Sequence, residues 1–130
     1  MKNIFRSSIS AILLSLLIFS CGSTQGQSEV TVVDADRLLE LQSAGAIVID
    51  VRSPEEVAEG KIPGAINIPL SENMASDITD IKKDQAVIVY CRSGMRSTNA
   101  SEILKKAGYK VIYNYKGSMN DWQSKKKPIE

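Results

Sequence analysis

The chain of 130 residues contains no histidine. That absence excludes a Ser-His-Asp triad, a Cys-His dyad and the usual imidazole metal site. Cysteine is almost as scarce. Cys21 and Cys91 are the only two, too few for a thiolate zinc site and enough for at most one disulfide, so no metal or other cofactor is expected. A surplus of charge of either sign is lacking as well. Sixteen Lys and Arg face 15 Asp and Glu, a net charge of +1, and so weak a field excludes gathering of nucleic acid over the whole surface. What is present is 43% hydrophobic and 24% charged, the composition of one ordinary foldable domain rather than a disordered or disulfide-stapled chain.

The longest apolar run stands near the start. Lys2 and Arg6 precede Ile9 to Phe19, which only Ser10 and Ser15 interrupt. A basic start and a short apolar stretch have the form of a secretory signal peptide. The run is shorter than the roughly 20 residues that a spanning helix requires. It ends in Leu17-Ile18-Phe19-Ser20-Cys21, and a Cys directly after a small residue at this place resembles the cleavage box of bacterial lipoproteins. That resemblance implies removal of residues 1–20, with Cys21 heading the mature chain as a lipidated residue. Two or three acyl chains suffice for stable anchoring, since each buried methylene contributes about 0.8 kcal/mol. The expected location is the periplasmic side of a bacterial membrane, held there by the lipid on Cys21, or otherwise the periplasm or the medium. Residues 21–28 then read as a flexible, uncharged tether and residues 29–130 as the folded domain. With Cys21 lipidated, Cys91 is the one remaining thiol.

From Glu29 onward, short β-branched runs alternate with helical patterns, which predicts an α/β domain with a largely parallel five-stranded sheet flanked by helices on both faces. Strands are expected over Val30 to Val33, Ile47 to Val51, Ala65 to Ile68, Ala86 to Tyr90 and Val111 to Tyr113. Ile47-Val48-Ile49 and Val87-Ile88-Val89 are continuously apolar, as suits central strands covered on both faces. Asp34 can cap a first helix with an apolar stripe of Ala35, Leu38 and Leu39, stopped by Gly45. Ser53-Pro54-Glu55-Glu56 forms a capping box with Pro at the first helical position, so a short helix should follow the second strand. Asn73 to Lys83 suggests one helical turn and a loop. The strongest helix is expected over Ser97 to Ala107, with Ala100, Ile103, Leu104 and Ala107 in register and Gly108 as its stop.

The chemistry concentrates in Cys91-Arg92-Ser93-Gly94-Met95-Arg96-Ser97. A buried strand delivers Cys91 at its carboxyl end, where ligands of open α/β sheets bind. A loop and then a helix follow, so successive backbone N–H groups and the helix N-terminus can surround an anion. The same surroundings favour a thiolate, and Arg92 and Arg96 add positive charge. Gly94 supplies a backbone geometry that a Cβ would obstruct. The pattern is that of a nucleophilic sulfur facing a small anionic substrate. An isolated Cys that closes a strand is more often inert, and here the two Arg and the Gly-containing loop tip the balance.

The loop resembles the active-site loop of single-domain rhodaneses, which are sulfurtransferases. A second block, Asp50-Val51-Arg52-Ser53-Pro54-Glu55-Glu56 followed by Gly60-Lys61-Ile62-Pro63-Gly64-Ala65-Ile66-Asn67-Ile68-Pro69, is similar to that family's segment before the catalytic strand. The likeness spans about Val30 to Trp122. It implies that Cys91 takes the outer sulfur of a donor such as thiosulfate as a persulfide and passes it to a thiol or cyanide acceptor. It also implies that the N–H groups from Arg92 through Ser93, Gly94 and Met95 to Arg96 cradle that sulfur, while the two guanidiniums hold the donor's sulfonate. Asp50 is expected to support the loop, and Arg52 to pair structurally with Glu56. The chain departs from the family pattern at Lys61, where His is frequent, and at Gly117-Ser118, where Gly-Gly is common. Both departures are expected to lie away from the sulfur.

Two other functions fit parts of the pattern. A Cys-dependent phosphatase would place five residues between Cys and Arg, whereas Cys91 and Arg96 enclose four, and no obvious Asp general acid follows the loop. A persulfide carrier or redox binding module would use the same loop without turnover on small donors.

Overall fold

In the computed structural model, which describes Gly26 and residues 28–130, five strands alternate with five helices. The expected signal peptide, Cys21 and most of the expected tether lie outside the described residues. In chain order the elements are β1 (Glu29–Val32), α1 (Ala35–Ser43), β2 (Ile47–Asp50), α2 (Pro54–Ala58), β3 (Ile66–Asn67), α3 (Met74–Asp77), β4 (Val87–Tyr90), α4 (Met95–Lys106), β5 (Val111–Asn114) and α5 (Ser118–Ser124). The sheet order is β1-β5-β4-β2-β3 and every pairing is parallel. The two continuously apolar runs, β2 and β4, are neighbours inside the sheet, because a strand covered on both faces has no side to show to water.

Alternation of side chains divides the core into two layers. Val48, Ile88 and Tyr90 point to one face and pack with Leu38 and Leu41 of α1 and with Met119 and Trp122 of α5. Ile49, Val87, Val89 and Ile112 point to the other, against Met74 of α3 and Ala100 and Leu104 of α4. Cys91 continues the parity of Val87 and Val89 and so lies on the α4 face.

Local signals set most element ends. Asp34 accepts from the Arg37 N–H at 2.8 Å and caps α1. The Ser53 hydroxyl accepts from the Glu56 N–H at 3.3 Å, and the Glu56 carboxylate accepts from the Ser53 N–H at 3.1 Å, completing the capping box of α2. Two expectations need correction. α1 buries Ala35, Leu38 and Leu41 and leaves Leu39 exposed. Each residue turns the helix by about 100°, so a stripe centred on Leu38 carries Leu39 to its flank. α4 begins at Met95 rather than Ser97. Gly94 makes the turn in a single left-handed step, φ +98°, so that only residues 92–94 separate Cys91 from α4.

Candidate active site

Cys91 follows the last residue of the central strand and is 1% exposed. Its Sγ accepts from the Gly94 N–H at 3.1 Å and from the Ser97 N–H at 3.4 Å. Both donors face the sulfur because the left-handed Gly94 folds the chain back on itself and starts α4 beneath it. A Cβ on Gly94 would stand 2.3 Å from the Lys116 carbonyl oxygen, so the close approach of the segment after β5 requires glycine here. Burial by itself raises the Cys91 thiol; the N–H groups of Ser97 and Gly94 and the hydroxyls of Ser118 and Ser97 outweigh it and hold the thiol below its ordinary value. Among the described residues Cys91 is the free cysteine, and no cluster of His, Cys, Asp or Glu could hold a metal.

Ser118 corrects the expectation that Gly117-Ser118 lies away from the sulfur. Its hydroxyl lies 3.7 Å from Sγ, accepts from the Cys91 N–H at 3.0 Å and reaches the Tyr115 carbonyl at 3.0 Å. The residue is fully buried with φ +57°, a left-handed conformation that costs a non-glycine residue roughly 1–2 kcal/mol. The start of α5 also clamps the loop, since Met119 N–H donates to the Cys91 carbonyl and Asn120 N–H to the Arg92 carbonyl, each at 3.0 Å. Ser118→Ala removes a hydroxyl whose one proton is shared between Sγ and the Tyr115 carbonyl. The expected result is a midpoint of Cys91 alkylation moved to higher pH by roughly 0.5–1, equivalent to about 1 kcal/mol. Ser118→Gly, which relieves the backbone, should move it equally. An unchanged midpoint in both would remove Ser118 from the sulfur's surroundings.

Arg52 does not pair with the Glu56 carboxylate. It turns inward to Asp50, with Nη2 2.7 Å from Oδ2 and Nε 3.0 Å from Oδ1, and Asp50 also accepts the Arg52 N–H at 3.0 Å. Arg52 lies at a bend between β2 and α2, so the i,i+4 neighbourhood of a helix does not apply; the Asp50 carboxylate takes the N–H two residues on, as in an Asx-turn, and the bend folds the Arg52 side chain back beside it. The pair is almost wholly buried. Asp50 makes no hydrogen bond to residues 92–96; instead Arg52 donates to the Glu56 carbonyl at 3.3 Å and the Gly60 carbonyl at 2.8 Å, fixing the segment that carries Glu56.

Glu56, expected only as a cap and as the partner of Arg52, belongs to the loop as well. While capping α2, its carboxylate accepts from Arg96 Nη1 at 2.6 Å, from Arg96 Nη2 at 2.9 Å and from Arg92 Nε at 2.9 Å. The Arg96 hydrogen bonds, against the opposing cost of burial and with help from the Ser53 N–H and Arg92, hold the carboxyl far below the usual range. Both guanidiniums are therefore engaged by an internal anion. Ser93 and Met95 are exposed, Met95 at 78%. They line, with Gly94, Thr98, Asn99 and Lys116, an open cavity of about 370 Å³ beside the loop. Lys61 donates to the Ala65 carbonyl at 2.9 Å. The arrangement suits a thiolate that attacks without a general base.

A family model described as a rhodanese-like domain matches residues 34–125. A sulfurtransferase of Allochromatium vinosum is 32% identical over 102 residues, which cover 77% of this chain and 94% of that one. The human thiosulfate:glutathione sulfurtransferase is 34% identical over 98 residues, 65% of this chain and 85% of its own. Among solved structures, a human single-domain sulfurtransferase superposes with a TM-score of 0.67 at 30% identity, covering 72% of this chain and 96% of its own.

Proposed function

The chain belongs to the rhodanese-like family of sulfurtransferases, and from that premise we propose that it moves a sulfane sulfur from a small anionic donor such as thiosulfate to a thiol or cyanide acceptor through a persulfide on Cys91. The observation that carries this reading is the position of Sγ at the focus of the Gly94 and Ser97 N–H groups. In the first half-reaction the thiolate attacks the donor's outer sulfur. A bond forms between Sγ and that sulfur, the donor's S–S bond breaks, and its electron pair leaves with sulfite. In the second, the acceptor attacks the outer sulfur and the pair of the new S–S bond returns to Sγ as thiolate. No proton moves in either half if donor and acceptor react as anions, so the lack of histidine does not hinder the cycle. The persulfide is anionic too, and Gly94, Ser97 and Ser118 supply donors for the charge on it. Arg92 and Arg96 would receive the sulfonate, with Ser93 and Met95 at the rim.

Counting product per protein molecule separates catalysis from carriage. With thiosulfate and cyanide in excess, thiocyanate should exceed the protein many times over, whereas a carrier stops at one sulfur. Hydrolysis of p-nitrophenyl phosphate that depends on Cys91 would instead favour a phosphatase. For the first 28 residues we propose export and lipidation at Cys21; incorporation of labelled fatty acid into the wild type and its loss in Cys21→Ser is the test.

A further inference from the structure

We propose that Glu56 is a built-in competitor for the anionic donor, occupying both guanidiniums of the resting site and so setting how much donor the site requires. This deepens the reading of Cys91 as the sulfur acceptor and rests on it. The carboxylate presents two oxygens to Arg96 in a bidentate pair and shares one of them with Arg92 Nε, which is how two oxygens of a sulfonate would be received. It cannot drift away. Its Oε2 is held by the Ser53 N–H, and the carbonyl of the same residue is held by Arg52, itself locked to buried Asp50. The competing anion is therefore fixed at the mouth by folding, without the entropic cost that a free ion incurs on binding. Its charge reduces the contribution of the two arginines to one net positive charge, and Glu59, 3.8 Å from Arg92 Nη2, reduces it further at the exposed edge. A donor dianion must share or displace these hydrogen bonds to enter.

The direction of the effect distinguishes competition from positioning. Were Glu56 there to aim the arginines at the donor, its loss would weaken anion capture. As a competitor, its loss must strengthen capture. Iodoacetate and iodoacetamide have nearly the same shape and differ in charge, so the ratio of their rates at Cys91 cancels burial and thiolate content and reports the potential at the mouth. Glu56→Gln keeps an oxygen for the Ser53 N–H and removes the charge. The iodoacetate-to-iodoacetamide ratio should rise about 3- to 10-fold at low ionic strength and fall back in high salt, and the thiosulfate concentration giving half-maximal rate should fall several-fold. Glu56→Ala, which also deletes the cap, must shift the ratio the same way if the charge is what matters. An unchanged or lowered ratio in both folded variants overturns the proposal. Alkylation needs no sulfur transfer, so a raised ratio in a protein that transfers no sulfur would leave the competitor standing and remove the sulfurtransferase reading; active transfer with a lowered ratio would do the reverse.

Discussion

Cys91→Ser is expected to abolish sulfur transfer to background while leaving the thermal unfolding midpoint within a few degrees of the wild type. The exchange puts oxygen for sulfur at a site built to stabilise a negatively charged, polarisable atom. A serine hydroxyl remains protonated there and cannot hold a sulfane sulfur as a labile persulfide, so both half-reactions lose their attacking and leaving atom together. The fold has little reason to change. Cys91 behaves as a small buried residue, and the Gly94 and Ser97 N–H groups that meet Sγ would find a hydroxyl oxygen in its place, so no donor is left buried without a partner. Thiocyanate formation and a thermal melt on the same sample check both halves. Transfer above background in Cys91→Ser would show that another group carries the sulfur.

The second large effect falls on stability and lies outside the loop. Asp50→Ala leaves the Arg52 guanidinium, 3% exposed beside a fully buried carboxylate, without its counter-ion. Breaking a buried pair from one side costs about 3–5 kcal/mol, out of roughly 5–15 kcal/mol for a whole domain. At about 4–8 °C per kcal/mol for a domain of this size, the midpoint should drop by about 12 °C or more. Burial alone would lower the Arg52 pKa, and the hydrogen bond and charge of Asp50 more than offset it, keeping the guanidinium charged; removal of Asp50 leaves only the cost. Asp50→Leu combined with Arg52→Met should recover only part of the loss: it removes both buried charges together, but the Arg52 N–H and the Gly60 and Glu56 carbonyls lose their partners. A drop of no more than a few degrees in Asp50→Ala would show that water or another group already compensates the arginine.

What was legible in the sequence had local causes. The capping box at Ser53 and Glu56, the stop at Gly108 and the apolar runs of β2 and β4 each act within a few residues, and the structure places their elements accordingly. Cys91 and Gly94 were legible for the same reason: strand, loop and helix are contiguous there, so the N–H groups that meet the sulfur come from residues 3 and 6 positions later. The rest depended on which distant neighbour wins. Glu56 had Arg52 four residues away and Arg96 forty residues away, and it takes the distant partner because Arg52 is drawn inward by Asp50. Ser118 reaches the sulfur across 27 residues, brought there by the parallel pairing of β4 with β5, which aligns the carboxyl ends of both strands at one edge. No pattern within either segment signals these encounters.

Intact-mass measurement of the purified protein before and after thiosulfate, beside Cys91→Ser, is the direct test of persulfide formation on Cys91. The wild type should gain one sulfur atom, which cyanide removes as thiocyanate, and Cys91→Ser should gain nothing. A wild type that takes up no sulfur, or a variant that takes up as much, would contradict a persulfide on Cys91.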